Sequence, residues 1–186
     1  EDIKDAEVLA NKLELQFLEI DLTSTYKEFI QTFLSKIHPN KLSLGNIKPR
    51  LRMTALYFIG QSKKDFLIAG TGNRTEIAIG YFTKYGDGGV DFEPIGDLYK
   101  CEVKELAKVL DLPNDILNKP PSAGLWKGQT DEDEIGMTYD TLDEIIYRMD
   151  HGLAMDNLNT KKVEKVKKMI QSTQHKRETP PVFKIK

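Results

Sequence analysis

The sequence predicts an α/β fold, a doubly wound parallel sheet with helices on both faces. Three observations predict it. Helical and strand-like segments follow one another in the order helix, strand, helix, helix, strand, helix over the first 81 residues. Phe66-Leu67-Ile68-Ala69 is a short, continuous apolar run of the kind that is buried on both faces of a parallel sheet. That run ends at Gly70-Thr71-Gly72 and passes straight into a helical segment, the strand, turn and helix order of a doubly wound domain. Only two convincing strands can be read, and two strands do not make a sheet covered on both faces. The expectation is therefore that part of the sheet lies outside this chain and would precede Glu1.

The elements follow in order from periodicity and punctuation. Ile3, Ala6, Leu9 and Leu13 recur at helical spacing and predict a helix over 2–13. QFLEID, 16–21, reads as the first strand. Thr25 and Glu28 form a capping-box pattern before an apolar face of Tyr26, Phe29, Ile30, Phe33, Leu34 and Ile37, and His38-Pro39-Asn40 closes that helix. Pro49 suits the first turn of a helix over 48–60. The strand 66–69 leads to a helix over 74–81. Asp97 can cap a helix over 98–110, which Leu112-Pro113 ends. Residues 119–130, KPPSAGLWKGQT, read as a loop. Helices follow over 131–136, 139–150 and 159–173, and 175–186 is a basic tail containing prolines. The chain shows no internal repeat and no low-complexity segment.

Composition narrows the function classes. The chain has 186 residues, enough for one domain of 1–186, and 39% of them are hydrophobic, enough for a core. Its 27 basic and 29 acidic residues leave a net charge of -2, so no global field favours nucleic acid or an anionic membrane. No apolar run approaches the roughly 18 residues that span a bilayer. The single cysteine, Cys101, excludes an internal disulfide and fits a reducing compartment. It sits in a helical pattern with no signature around it and reads as a packing residue rather than a nucleophile.

Two loops can carry chemistry. In GTGNRTE, 70–76, a strand turns into a helix, a geometry that aims backbone N–H groups at a bound anion. Thr71 can donate a hydroxyl, and Glu76 can offer a carboxylate oxygen to a hard cation such as Mg2+. The same residues also make an ordinary tight connection with Asn73 or Thr75 as the cap. The second loop is GYFTKYGDGGVDFEPIGDLYK, 80–100. Gly86, Gly88 and Gly89 permit close backbone approach, and Lys84, Asp87, Asp91 and Lys100 bring charge of both signs to one place. Tyr81, Phe82, Tyr85 and Tyr99 are interleaved, so a ligand-organised loop is a better reading than a solvated turn. Arg50 and Arg52 can each clamp a phosphate or carboxylate, or lie on the surface. His175-Lys176-Arg177 alone would pass for a solvated tail, and His38 and His151 have no evident metal partners. Trp126 suits stacking on a ligand or burial against the core.

These segments together resemble a known family. EDIKDAEVLA at the start, GNIKPRLRM at 45–53, GTGNRTE at 70–76, the whole of 80–100, PPSAGLWKGQTDEDEIG at 120–136 and QHKR at 174–177 are similar to ammonia-dependent NAD synthetases, the NAD synthase family. The resemblance spans most of the chain. It implies an adenine nucleotide α-hydrolase-like fold of the ATP-pyrophosphatase group. The implied reaction is adenylation of the nicotinate carboxylate of deamido-NAD by ATP, then attack by ammonia to give NAD and AMP. By the same resemblance Thr71, Lys100 and Ser122 contact ATP, and Glu76 binds Mg2+. Arg50, Lys84, Asp91, His175 and Lys176 bind deamido-NAD. A cytoplasmic homodimer, with the dinucleotide site at the subunit interface, is also implied. The Gly-rich 80–100 segment is then expected to be a substrate-ordered lid and wall. One departure stands out: the family's Ser-Gly-Gly-x-Asp-Ser phosphate loop does not occur in these residues. The expectation that follows is an N-terminally incomplete synthetase domain, short of one βαβ unit and inactive alone. Two other readings remain at this point: the synthetase portion of a glutamine-dependent NAD synthetase, and a non-catalytic nucleotide-binding or dimerisation module.

Overall fold

The computed structural model describes residues 2–64, 66–126 and 128–185. Glu1, Lys127 inside the expected 119–130 loop and Lys186 at the end of the expected tail lie outside the described residues. Ten helices form among the described residues. They are α1 (Asp2–Lys12), α2 (Thr23–Phe33), α3 (Lys41–Lys63), α4 (Arg74–Ile79), α5 (Lys100–Val109), α6 (Asn114–Leu117), α7 (Asp131–Ile135), α8 (Tyr139–Asp150), α9 (Thr160–Ser172) and α10 (Gln174–Arg177).

The core sits between α4, α7, α8 and α9. In α8 the residues Leu142, Ile145 and Ile146 share one helical face and are fully buried. Val163 and Val166 of α9 and Ala78 and Ile79 of α4 meet them, with Ile135, Met137 and Tyr139 closing one side. Leu142, Ile145 and Val166 are at most 1% exposed, so each contributes about 1.5–3 kcal/mol of burial. Side-chain caps fix where these helices begin. Thr138 accepts from the Thr141 N–H, Asn159 from the Lys162 N–H, and Asn73 and Glu76 form a reciprocal capping box on α4.

Several boundaries differ from expectation for identifiable reasons. The third helix starts at Lys41 rather than near 48, because Asn40 accepts from the Ser43 N–H and caps it early. Pro49 therefore lies inside α3 and is buried, and the Gly45 carbonyl has no amide partner at the i+4 position. Asp97 does not cap α5; Tyr99 occupies that position. The short α6 falls in a stretch to which the sequence assigned no element, and α10 overlaps the segment read as tail.

The sheet does not form among the described residues. Residues 16–21 form no strand and no bridge, and Leu15 and Leu18 are 61% and 63% exposed. The 66–70 segment makes one parallel bridge, Ala69 with Phe92. It is held by Asp91 N donating to Ile68 O at 2.9 Å and Gly70 N donating to Phe92 O at 2.7 Å. A parallel strand needs lateral neighbours for its backbone groups, and no described residue forms a bridge with 16–21. Uncovered surface tells the same story: the accessible area is 13433 Å². A folded monomer of 21.2 kDa exposes about 9,000 Å².

Candidate active site

The 66–70 segment and the turn behind it place the first group of functional side chains. Gly70-Thr71-Gly72 leads into α4, where Glu76 stands at the third helical position and accepts from the Asn73 N–H through Oε2 at 3.3 Å. Its other oxygen, Oε1, accepts from Lys100 Nζ at 2.7 Å. Lys100 opens α5, and its ammonium also lies 4.9 Å from the centre of the Tyr139 ring, a cation–π arrangement. The two side chains are only 19% and 16% exposed, so this pair is screened far less than a surface ion pair.

A cleft of about 380 Å³ opens beside the pair. Thr71, Glu76, Asp91 and Lys176 all line it. Asp91 comes from the parallel bridge and is fixed by Tyr57 OH at 3.0 Å and the Ile68 N–H at 2.7 Å. Lys176 comes from α10 and donates to the carbonyls of Gly80 and Phe82, each at 2.7 Å. Burial lowers the Lys176 ammonium below its ordinary range. Four residues drawn from three separate stretches of sequence thus face one cavity.

A second group sits on the rim. Lys84 donates to the backbone oxygen of His175, and Arg50 Nε donates to the Lys84 oxygen at 3.4 Å. The Arg50 and His175 side chains are exposed. Ser122 is not brought to the cleft; it is exposed, and its Oγ accepts from the Gly124 N–H at 3.1 Å within its own loop. The 80–100 segment is a wall of closed turns: Gly86 N donates to Thr83 O at 2.9 Å, and the buried Thr83 donates to Asn46 Oδ1 at 2.9 Å.

Two backbone amides of the glycine turn are engaged within the protein. Gly70 N donates to Phe92 O at 2.7 Å. Gly72 N donates to Glu93 Oε2 at 3.0 Å, a carboxylate from the cleft wall. Burial raises Glu93 above its ordinary value, and the Gly72 hydrogen bond opposes that shift. At the start of α4 the capping box occupies Asn73 N and Glu76 N, and Arg74 N donates to Leu98 O at 2.8 Å.

Behind the cleft lies a polar layer that sequence reasoning missed. Tyr139 OH donates to Asp131 Oδ2 at 2.9 Å, and Tyr81 OH lies between Asp131 at 3.2 Å and Glu134 at 2.6 Å. Burial pushes both phenols well above their ordinary range, so they stay protonated donors. Burial likewise raises Asp131, against the lowering effect of its two phenol hydrogen bonds. The run Asp-Glu-Asp-Glu at 131–134 gives no hint of which acid is inside. The signal was the i, i+4 spacing of Asp131 and Ile135, both of which are buried.

Glu76 is a hard oxygen donor of the kind Mg2+ takes, but no group of three His, Cys, Asp or Glu residues among the described residues could hold a metal ion. Glu76 alone would supply one protein oxygen, so an ion held there would take its other ligands from elsewhere, substrate phosphates among them.

Cationic and anionic side chains thus gather around one cleft beside the glycine turn. The comparisons agree on the family. The NAD synthase family profile matches residues 1–180. The NH(3)-dependent NAD(+) synthetase of Carboxydothermus hydrogenoformans is 47% identical over 184 residues, 98% of this chain and 72% of that protein. The solved NMN synthetase of Francisella tularensis superimposes with a TM-score of 0.88 at 36% identity, over 99% of this chain and 73% of that one. The NH3-dependent NAD synthetase of Campylobacter jejuni, solved with a nitrate ion, gives 0.80 at 28% identity, over 98% and 72%. The chain belongs to the NAD synthase family, and its fold is that of the NAD and NMN synthetases.

Proposed function

We propose that this chain carries the ATP-dependent amidation of deamido-NAD with ammonia, yielding NAD, AMP and pyrophosphate. The observation that carries the reading is the meeting of Thr71, Glu76, Asp91 and Lys176 on one cleft, with Lys100 paired to Glu76, in a chain of this family. The carboxylate of the substrate attacks the α-phosphorus of ATP, and pyrophosphate leaves. Ammonia then adds to the acyl carbon of the adenylate, AMP leaves, and the extra proton goes to solvent or a nearby base. Both partners of the first step are anions, so their approach needs positive charge close by.

Lys100 turns from Glu76 to the phosphates in this reading, and Thr71 donates its hydroxyl there. Glu76 is the one carboxylate for Mg2+ arriving with ATP; bound there, the ion supplies charge neutralisation on the triphosphate. Asp91 and Lys176 hold the dinucleotide at the cleft, and Arg50, Lys84 and His175 hold it at the rim. Ser122 reaches ATP only if its loop moves inward.

The cleft volume bears on a further point. At about 380 Å³ it is at the small end of ligand sites and does not enclose ATP and a dinucleotide together. The rest of the substrate needs another surface, which supports a homodimer with the site at its interface. Residues 1–186 serve here as one synthetase domain, whose segments 15–21 and 66–70 belong to a doubly wound sheet wherever further strands lie beside them. No described helix is long and apolar enough to cross a membrane, and a cytoplasmic location suits a reaction that draws on ATP.

A second reading concerns the substrate alone. The likeness to an NMN synthetase favours testing a mononucleotide. The test supplies the intact protein with ATP and ammonia or glutamine, and with deamido-NAD or nicotinate mononucleotide. The proposed function predicts NAD from deamido-NAD and ammonia, at least 10-fold faster than the mononucleotide is amidated. Preference for the mononucleotide overturns the substrate assignment, dependence on glutamine overturns the amine donor, and binding without AMP release overturns catalysis.

A further inference from the structure

We infer that Asp143 is a positioning residue for the Lys100 ammonium, acting through Thr75 and the first turn of α5. The inference rests on the functional reading above, in which Lys100 serves ATP.

α5 begins without a side-chain cap of the ordinary kind. The Tyr99 phenol, at the cap position, donates instead to Asp150 Oδ2 at 2.8 Å. The first amides of a helix need partners from elsewhere when no local cap is present. In α5 two of them come from other helices. Lys100 N donates to Thr75 Oγ1 at 3.1 Å, and Cys101 N donates to Asp143 Oδ2 at 2.8 Å. The other oxygen of Asp143 accepts from Thr75 Oγ1 at 2.5 Å, which closes the set. Asp143, in the middle of α8, therefore ties the start of α4 to the start of α5.

The residues so tied are the immediate neighbours of the functional pair. Thr75 precedes Glu76, and Cys101 follows Lys100. Thr75 is fully buried and Asp143 is 5% exposed, so water does not compete for these bonds. A buried carboxylate without a cationic partner is costly unless its lone pairs are filled. Asp143 is filled by one hydroxyl and one amide, and it lies at the positive end of the α5 dipole. The core does not need a carboxylate at this position: Leu142, Ile145 and Ile146 supply the apolar face of α8. What Asp143 fixes is the register in which Lys100 Nζ stands 2.7 Å from Glu76.

Lys100 has four methylenes and many rotamers, so its ammonium is held in place only if its backbone is. Losing the Asp143–Thr75 bridge loosens the backbone under Lys100 while leaving the lysine itself intact. The loss should therefore be felt wherever Lys100 acts and nowhere else.

The test uses the intact protein with Thr75→Val, Thr75→Ser and Asp143→Asn, each alone and combined with Lys100→Met. Steady-state kinetics are measured separately for ATP and for deamido-NAD. The expected result is a 10- to 100-fold fall in kcat/KM for ATP in Thr75→Val and Asp143→Asn, the range seen for residues that orient a ligand-binding group. KM for deamido-NAD moves less than about 2-fold, and Thr75→Ser, which keeps the hydroxyl, stays within about 3-fold of the parent. In the Lys100→Met background the same substitutions add less than about 2-fold. Full additivity with Lys100→Met, equal losses for both substrates, or a Thr75→Ser variant as damaged as Thr75→Val overturns the inference. If Asp143→Asn does not fold, the Thr75 pair decides alone. A parent protein that does not bind ATP overturns the functional reading and this inference together, whereas an active parent with additive variants overturns this inference only.

Discussion

Replacing Lys100 by methionine tests the pairing at the centre of the site. Lys100 Nζ and Glu76 Oε1 are 2.7 Å apart. At an effective dielectric constant of 20 their attraction is about 6 kcal/mol before desolvation is counted, an upper bound. Exposed pairs contribute about 0–1 kcal/mol, and breaking a fully buried pair costs about 3–5 kcal/mol. With side chains 19% and 16% exposed, the pair lies nearer the buried limit. The expected cost of Lys100→Met is about 2–4 kcal/mol, because Glu76 is left unpaired near the phenol-bonded Asp131. That corresponds to a fall in Tm of roughly 5–15 °C for a chain of this size. The double variant Lys100→Met with Glu76→Gln should recover most of the stability, since no charge is then stranded, while its ATP-dependent activity should stay as far below the parent as that of Lys100→Met. Thermal unfolding of the single and double variants decides it. A Lys100→Met protein with unchanged Tm, or a double variant less stable than the single, refutes the reasoning.

Other outcomes follow from the same geometry. Gly70→Ala places a Cβ on the Glu93 carboxylate, forcing that side chain away from Gly72 N. The expected loss is about 1–3 kcal/mol for the stranded amide, and adding Glu93→Ala should relieve the overlap without restoring the hydrogen bond. Glu93 itself makes stability depend on pH. Its folded value is raised by burial, so the folded chain binds its proton more tightly than the unfolded chain, and stability is lost as pH rises from below 4.5 through the folded value. Glu93→Gln should flatten that change, and equal Tm profiles over pH 4–7 for both proteins would contradict it. Lys176 has the opposite sign. Its folded value is lowered by burial, so its charge is lost below the ordinary lysine value of 10.5, and stability rises with pH across that window. Deamido-NAD binding should weaken with pH below 10.5 and stay flat in Lys176→Arg; the same alkaline limb in both proteins would exclude Lys176 as its source.

The sequence showed the site more clearly than the sheet. Thr71 and Glu76 stood out as candidates in the glycine turn and Asp91 and Lys100 in the glycine-rich 80–100 segment, whereas Lys176, in a stretch that reads as a solvated tail, was singled out only by the family resemblance; the fold brings Thr71, Glu76, Asp91 and Lys176 to one cleft. Helices α8 and α9 were legible because Leu142, Ile145 and Ile146, and Val163 and Val166, keep a helical period beside strong caps. The strands at 16–21 and 66–69 were read from local apolarity, but pairing is a property of neighbours and those neighbours are not among the described residues. Asp143 was invisible for another reason. Nothing in TLDEIIY separates a surface aspartate from one that caps a distant helix, because its partners lie 68 and 42 residues away. Ser122 shows the reverse case, a residue identified by resemblance whose loop does not carry it to the cleft.

The central claim is that a carboxylate of the substrate attacks ATP at the α-phosphorus within this cleft. Deamido-NAD labelled with 18O in its nicotinate carboxylate tests it most directly in the intact protein with ATP and ammonia. Adenylation predicts one labelled oxygen in AMP and unlabelled pyrophosphate, in step with NAD formed. Label in inorganic phosphate accompanied by ADP, or NAD formed with unlabelled AMP, would contradict it.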